Sequence, residues 1–565
     1  MAPPDVSETE SPYRIFRVNP NDEFSDEEDE YNHDRVVMTM TDRDGSILYE
    51  MEGLPLLHKI IYQNDVGALQ QYFTIAPNFA QKLPNGEEEI IETTDDFELA
   101  VQSGSLDVLQ WLLNNAPRDT VSTQPIRFTT RGFQLLNEAA RYGRIETVKF
   151  LLAHQPLYAN IQDRDRKGYT AILSAADVYS ERYCFQPAWN EVCLENNEAI
   201  INLLLDQGAC ASDTYVAPYI QETLDTVLTL VVKWAGPELI KRLIDCGADV
   251  HTTITKWPMY NGASASGVNA LAVACYHANI KAVETLIDCR GAVTAASMAC
   301  CQDSLSRLPL HWVTKNQLPL DDLENIPKSL LRERVQNITS LIELLLSLHP
   351  AAINIQDQEG HTPLHHATES FGRNSKLYTP IFELLCKRGG DASIRNNKGQ
   401  TPLHTLFDTC ITNVPIDPAA ISVLVAHGAR VTDTVAGGTL LHIAAGNLYF
   451  ADAVSCLLDH GADPTAKDSS QATALHRAAS GRLWQSNVRK AEVKIRSQDD
   501  MLARLVKAGG EELMDLPDVH GETPRQICQR RREQWRIAEL PREQFGSGRG
   551  RPGRGGARNG RGRGS

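Results

Sequence analysis

One short pattern recurs along this chain and limits its possible folds more than any other feature. Residues 360–367 read Gly-His-Thr-Pro-Leu-His-His-Ala, and residues 399–406 read Gly-Gln-Thr-Pro-Leu-His-Thr-Leu. Gly438-Thr439-Leu440-Leu441-His442-Ile443-Ala444 and Ala472-Thr473-Ala474-Leu475-His476-Arg477-Ala478 repeat it further on. The first three copies are followed by an apolar stretch at helical spacing that closes on a glycine. These are Ile381 to Leu385 before Gly389, Ile421 to Val425 before Gly428, and Val454 to Leu458 before Gly461. The pattern has a physical reading. Thr caps a helix, Pro fits the first turn where its missing N–H costs nothing, and the closing Gly supplies the left-handed residue that ends a second helix. A unit this small leaves an apolar face exposed, so stacking on its neighbours must supply the core.

The pattern resembles the ankyrin repeat, with its turn, its Thr-Pro-Leu-His-x-Ala first helix and its second helix of Val-x-x-Leu-Leu spacing. Used as a template, it places the motif Thr position at Pro55, Asp95, Gln134, Thr170, Thr226, Asn269, Leu308, Thr362, Thr401, Thr439, Thr473 and Thr523, which makes twelve candidate repeats. The weaker copies keep their second helices, as in Val108 to Leu113, Val148 to Leu152, Ile200 to Leu204, Leu239 to Ile244 and Val283 to Ile287. All have apolar residues at helical spacing. The fold expected is all-α, an ankyrin-repeat solenoid of about twelve helix-turn-helix units with disordered termini. Residues 1–50 form an acidic, largely disordered segment, 51–535 the repeat array, clearest over 354–480, and 536–565 a disordered Arg-Gly-rich tail.

The motif positions lie about 42 residues apart on average, against the roughly 33 of an undecorated array. The extra length falls near 177–196, 314–336, 368–377, 407–416 and 480–497, each between the first and second helix of its repeat. These insertions either decorate one edge of the stack or are drift in a tolerated loop. Leu320 to Arg334 has a mixed apolar and charged pattern that Pro327 should break into two pieces. Segments 210–225 and 290–307 lack clear motifs, which leaves continuity there open.

Composition narrows the function classes. The chain has 565 residues, 42% hydrophobic and 22% charged, with a net charge of −17. An acidic body disfavours broad binding to a nucleic-acid backbone. The charge is uneven, however: residues 1–50 carry 14 acids and 4 bases, while 546–565 carry six Arg and no acid. The 12 Cys include no C-x-x-C pair, so a disulfide framework or zinc ribbon is not expected. The adjacent Cys300 and Cys301 read as buried helix packing. With neither a signal-peptide pattern nor a long apolar run in the sequence, a cytoplasmic or nuclear setting is expected, without membrane contact.

No catalytic residues, cofactor or small-molecule substrate emerge from the motifs. His361 and His365 have metal-like i, i+4 spacing with His366 adjacent, but His365 is the motif histidine. His58, His311, His404, His442 and His476 occupy the same position. A catalytic or ligating residue would not recur this way, so hydrogen bonding within the repeat is expected and no metal is assigned.

What the resemblance implies instead is a surface for one or more partner proteins, lined by turn tips and the exposed side of the first helices. Well-formed tips are Asp165 to Tyr169, Asp357 to His361 and Asn396 to Gln400, where Asp or Asn followed by Gly makes a tight turn. Arg166, Lys167, Tyr169, Gln358, Glu359, His361, Asn397, Lys398 and Gln400 are the contact candidates. In the Thr473 repeat the tip carries Gln471 where Gly is expected, which puts its geometry in question. The tail resembles the Arg-Gly segments of RNA-associated proteins, making Arg549, Arg551, Arg554, Arg558, Arg561 and Arg563 RNA-contact candidates. A solvated tail is the alternative. Arg530, Arg531, Arg532 and Trp535 on the final helix either extend that basic patch or solvate the end of the stack. Ser25 to Glu30 resembles an acid-directed kinase site; a solvated acidic run, or one folding back on the tail, is the other reading.

Overall fold

The computed structural model describes residues 15–17, 38–41, 47–48, 56–75, 96–115, 134–178, 187–217, 222–256, 264–315, 327–372, 375–408, 415–483 and 490–539. They fall into two compact units, 1–352 and 353–565.

Helices begin where capping chemistry says they should. All twelve expected motif positions immediately precede a helix, from Pro55 before Leu56–Tyr62 to Thr523 before Pro524–Glu539. In the first unit seven such helices are each followed by a second one, the last pair being Pro309–Thr314 and Lys328–Leu348. In the second unit Pro363–Phe371 pairs with Ser375–Lys387, Pro402–Asp408 with Pro418–Ala426, Leu440–Ala445 with Ala451–Asp459, and Ala474–Ala479 with Ala491–Gly509. A lone helix, Pro524–Glu539, closes the unit, running four residues past the expected end of the array.

Within each unit, first helices pack on first helices of adjoining repeats. The motif positions show why. Leu364, Leu403 and Leu441 are wholly buried and Leu475 nearly so, each contributing about 1.5–3 kcal/mol. Ala367, Ala444 and Ala478 are buried too, and their small side chains let neighbouring helices approach. Thr368 Oγ1 meets Thr405 Oγ1 of the next repeat at 2.7 Å, so the contact also satisfies its polar atoms.

The tips repeat one hydrogen-bond scheme. Asp357 N–H donates to His361 O at 2.9 Å, and Gly360 N–H donates to Asp357 O at 2.9 Å. Asp357 Oδ1 accepts from the N–H groups of Glu359 and His361. Asn396, Asp468 and Asp518 do the same for their own tips. The substituted tip keeps this geometry: Gln471 adopts φ 55°, and its N–H still donates to Asp468 O at 2.9 Å. A non-glycine residue pays about 1–2 kcal/mol in that left-handed conformation, partly offset by the lower chain entropy of Gln when unfolded. Gln471→Gly is therefore expected to stabilise the second unit by about 0.5–1 kcal/mol, read from the denaturant midpoint at unchanged slope.

Four additions go beyond a helical array. Two-stranded antiparallel hairpins stand where tight tips were absent: Thr214–Val216 with Thr223–Thr226, Thr253–Lys256 with Ala265–Asn269, and Thr434–Val435 with Gly438–Thr439. The first two adjoin one another through Thr223–Thr226 and Thr253–Lys256. The third turns through Ala436 and Gly437, both at positive φ, as a two-residue hairpin requires. The hairpin at 214–226 and a short helix, Ala295–Ala299, occupy the segments where continuity was open. Ser304 N–H donates to Ser266 O at 2.8 Å, tying the second segment to its neighbouring hairpin.

The fourth addition lies within residues 1–50, the segment expected to be largely disordered, of which nine residues are described. Ile15–Arg17, Met38–Thr41 and Ile47–Leu48 form an antiparallel sheet in the order given, with Ile15 opposite Met40 and Met40 opposite Leu48. These runs interrupt the acidic composition with residues that favour strands.

The insertions are partly absorbed as helix. Second helices of nine residues are common, as in Ile145–Ala153 and Ile280–Asp288. Pro187–Asp206, Lys328–Leu348 and Ala491–Gly509 instead run to 20, 21 and 19 residues. Their extra turns lie at the N-terminal end, so inserted sequence lengthens the helix backwards. Pro327 marks the start of Lys328–Leu348; the part of the expected helix before it lies outside the described residues. Cys300 and Cys301 are exposed at the end of Ala295–Ala299, not buried as expected, because this short helix packs through Met298 and Ala299.

Candidate functional site

The motif histidines act as braces. Thr362, Thr401, Thr439 and Thr473 each donate their backbone N–H to Nδ1 of the histidine three residues on, at 3.2, 3.3, 3.2 and 3.0 Å. Their hydroxyls lie 2.8–3.0 Å from the same nitrogens. Imidazole thus takes the place of Glu or Gln in a capping box. Because Nδ1 accepts, the proton sits on Nε2, which donates to the next tip: His365 to Gln400 O at 3.1 Å, His442 to Ala472 O at 2.9 Å. Burial lowers the pKa of His442 and His476 and brings that of His365 to about 4, so the neutral form is held. Leu308 lacks the hydroxyl and makes half the box, its N–H donating to His311 Nδ1 at 3.0 Å.

A second set of side chains links four successive repeats of the first unit. Arg141, at the end of one first helix, pairs with Asp165 at 3.2 Å and lies 5.7 Å from the centre of the Tyr169 ring. Tyr169 packs on Tyr215 of the following hairpin, with ring centres 4.4 Å apart. Lys233 pairs with Asp225 at 3.5 Å, and Lys256 lies 4.8 Å above the Tyr276 ring. These groups are neither core nor open surface, and their chemistry records it. Burial raises the pKa of Tyr169 and Asp177, whose side chains hydrogen-bond one another. It lowers that of Lys256 to about 8 and holds His277 well below its ordinary value, helped by the charges of Lys256, Lys233 and Arg334. Aromatic rings, guanidinium and paired charges in partly dry surroundings are the composition of binding hot spots.

A family model for sets of three ankyrin repeats matches residues 97–184 and 331–413, and one for a single ankyrin repeat matches 436–469. The chain is an ankyrin-repeat protein. Such repeats generally mediate protein–protein interaction and are typically non-enzymatic. Among solved structures, the ankyrin repeat domain of Bcl-3, titled a unique member of the IkappaB protein family, is similar over 46% of this chain and 96% of its own length. The identity is 22% and the TM-score 0.31.

In this ankyrin-repeat protein the sequence candidates divide by exposure. Arg166, Lys167, Gln358, Glu359, Asn397 and Lys398 are exposed at tips, and Tyr169 and Gln400 are half-buried. His361 is buried, which corrects its assignment as a surface contact: its Nε2 lies 2.9 Å from Asn396 Nδ2 of the next tip. Asn397 is partly committed as well, donating its N–H to Glu359 O and its side-chain amide to Gln358 O, both at 3.0 Å. The structure gathers Arg166, Lys167 and Tyr169 on one tip, and Gln358, Glu359, Asn397, Lys398 and Gln400 on two adjoining ones.

Arg141, Tyr215, Asp225, Lys233, Lys256 and Tyr276 were missed by the sequence reading, because their register depends on hairpins that no tip motif marks. The available signal was the β-branched and aromatic run Thr214-Tyr215-Val216 followed by Thr223 to Thr226. Three of the five arginines of the final helix are paired internally: Arg525 with Asp515 and Glu511, Arg530 with Glu522, and Arg532 with Asp499 and Gln498. Arg531 stacks 5.6 Å from the Trp535 ring. These groups close the end of the stack. The six tail arginines and Ser25 to Glu30 lie outside the described residues. No helix among the described residues is long and apolar enough to cross a membrane.

Proposed function

We propose that this protein is a non-enzymatic scaffold or adaptor that binds partner proteins through the surface built by its tips, hairpins and first helices. The observation that carries the reading is the half-buried row from Arg141 to Tyr276, in which side chains of four repeats are held together beside exposed Arg166 and Lys167. A rigid row of this kind needs little further ordering to bind, and ordering is the main cost of such an interface. A cytoplasmic or nuclear setting accords with the free thiols of the described cysteines.

The test uses the full chain as bait in extract from its own cells, compared with Tyr215→Ala and with the double charge reversal Arg166→Glu, Lys167→Glu. A hot-spot loss of about 2 kcal/mol corresponds to a roughly 30-fold drop in affinity, so the specific partners should fall away from both variants. Recovery of the same proteins at the same yield would rule out this surface. The RNA reading rests chiefly on the tail, since three of the five arginines on the neighbouring helix, Arg525, Arg530 and Arg532, are paired with acids. Deleting residues 546–565 separates the two: RNA recovery that falls with the deletion and with added salt supports the tail, while protein capture should persist.

A further inference from the structure

We propose that the second unit carries a binding site for a divalent transition metal of the zinc type, built by Asp357, His361 and His366 around the tip of the Thr362 repeat. Each residue offers one ligand atom, and the three atoms lie within 4.8 Å of one another. All three side chains are buried, at 6%, 7% and 1% exposure. A zinc ion binds imidazole nitrogen and carboxylate oxygen at about 2.0–2.2 Å, which sets tetrahedral ligand atoms about 3.3 Å apart. Small side-chain rotations therefore close the triad around an ion.

The ankyrin motif does not account for these residues together. Its own histidine is His365, already committed to Thr362 and Gln400. The positions equivalent to His361 and His366 are Gln400 and Thr405, Gly438 and Ile443, and Ala472 and Arg477 in the next three repeats, with no imidazole among them. Here two imidazoles meet edge to face, with ring centres 5.1 Å apart, against a carboxylate 2.8 Å from His366 Nε2.

The surroundings suit a cation. Glu359 Oε2 lies 3.5 Å from His361 Nδ1, and Glu369 Oε2 lies 3.7 Å from His366 Nδ1. Both carboxylates reach solvent, so either can complete the coordination from outside. Asn396 Nδ2 donates to His361 Nε2 at 2.9 Å from the next tip, a bond that an ion on that nitrogen would replace. Mixed imidazole and carboxylate donors favour zinc and its neighbours over calcium or magnesium. Coordination sends any proton on the ligating nitrogen or carboxylate to solvent. A bound ion would join the tip, through Asp357 and His361, to the first helix, through His366.

His366 has one competing role. Arg477 braces Asp468 from the equivalent position in the Thr473 repeat, and His366 on Asp357 can be the same brace. The two roles part in solution. Full-length protein is stripped with a chelator and titrated with zinc chloride against a chromophoric competitor, then with cobalt chloride while its visible absorption is followed. The wild type should bind one equivalent that His361→Gln weakens at least 30-fold, and its ligand-field absorption with cobalt should disappear in that variant. His361→Gln leaves the Asp357–His366 pair in place, and unchanged circular dichroism would show that the fold persists. Asp357→Asn should lose the same equivalent. Equal zinc binding by wild type and His361→Gln, or no binding by wild type, would overturn the metal site and leave His366 as a brace.

Discussion

Acidification from pH 6.5 to pH 4 is expected to cost the second unit stability well before most carboxylates titrate. His365 is wholly buried, and that burial brings its pKa to about 4, while the unfolded chain should titrate near 6.5. Above pH 6.5 neither state binds the proton and stability is level. Between 6.5 and 4 the unfolded chain takes it up while the folded one does not, so stability falls with pH. Below 4 the folded state is protonated too, and this loss is complete at about 3 kcal/mol. His442 and His476 are shifted in the same direction by burial and add to the slope. Urea midpoints at half-unit steps from pH 7.5 to 4.5 should fall continuously below 6.5. His365→Gln keeps a capping-box acceptor for the Thr362 N–H but does not titrate, so its profile should be shallower by that one residue's share. A wild-type profile level down to pH 4.5 would mean that the imidazoles accept protons in place.

The same histidines show why so much of this fold could be read from sequence. Thr362, Pro363 and His365 act within one helical turn, so their consequences are local and survive in a pattern of a few residues. This holds even at Gln134 and Leu308, which retain the position without the hydroxyl. The hairpins follow a different logic. Tyr215 faces Asp225 across a ladder, and neither residue marks the other in sequence. The row from Arg141 to Tyr276 is less legible still, since it exists only once four repeats have stacked. The long second helices fall between these cases. Pro187 and Pro327 stand where helices start, but only packing shows that the insertion joins the helix behind it. His361 failed as a surface candidate for a related reason: tips look exposed in sequence until the next tip, with Asn396, covers them.

That covering gives the largest single-residue effect expected at a tip. Gly360 and Gly399 occupy the same motif position, with φ 78° and 75°, and sequence alone predicts equal costs for replacing them. The stack makes them unequal. A Cβ on Gly399 would meet nothing within 4 Å, whereas one on Gly360 would lie 2.6 Å from Asn397 Oδ1, 2.8 Å from Asn397 N and 3.1 Å from Asn396 Cα. Gly399→Ala should therefore cost only the left-handed penalty, about 1 kcal/mol. Gly360→Ala adds a clash with backbone that cannot rotate away, so the two tips must part. Parting them strains the Asn397 N–H bond to Glu359 O and its side-chain bond to Gln358 O, each contributing about 1 kcal/mol. The total expected for Gly360→Ala is about 3 kcal/mol, so the two variants should differ by about 2 kcal/mol, read from their urea midpoints at unchanged slope. Equal losses would mean that neighbouring tips move independently in solution, and a surface shared by Gln358, Glu359, Asn397 and Lys398 would then have no fixed geometry to offer a partner.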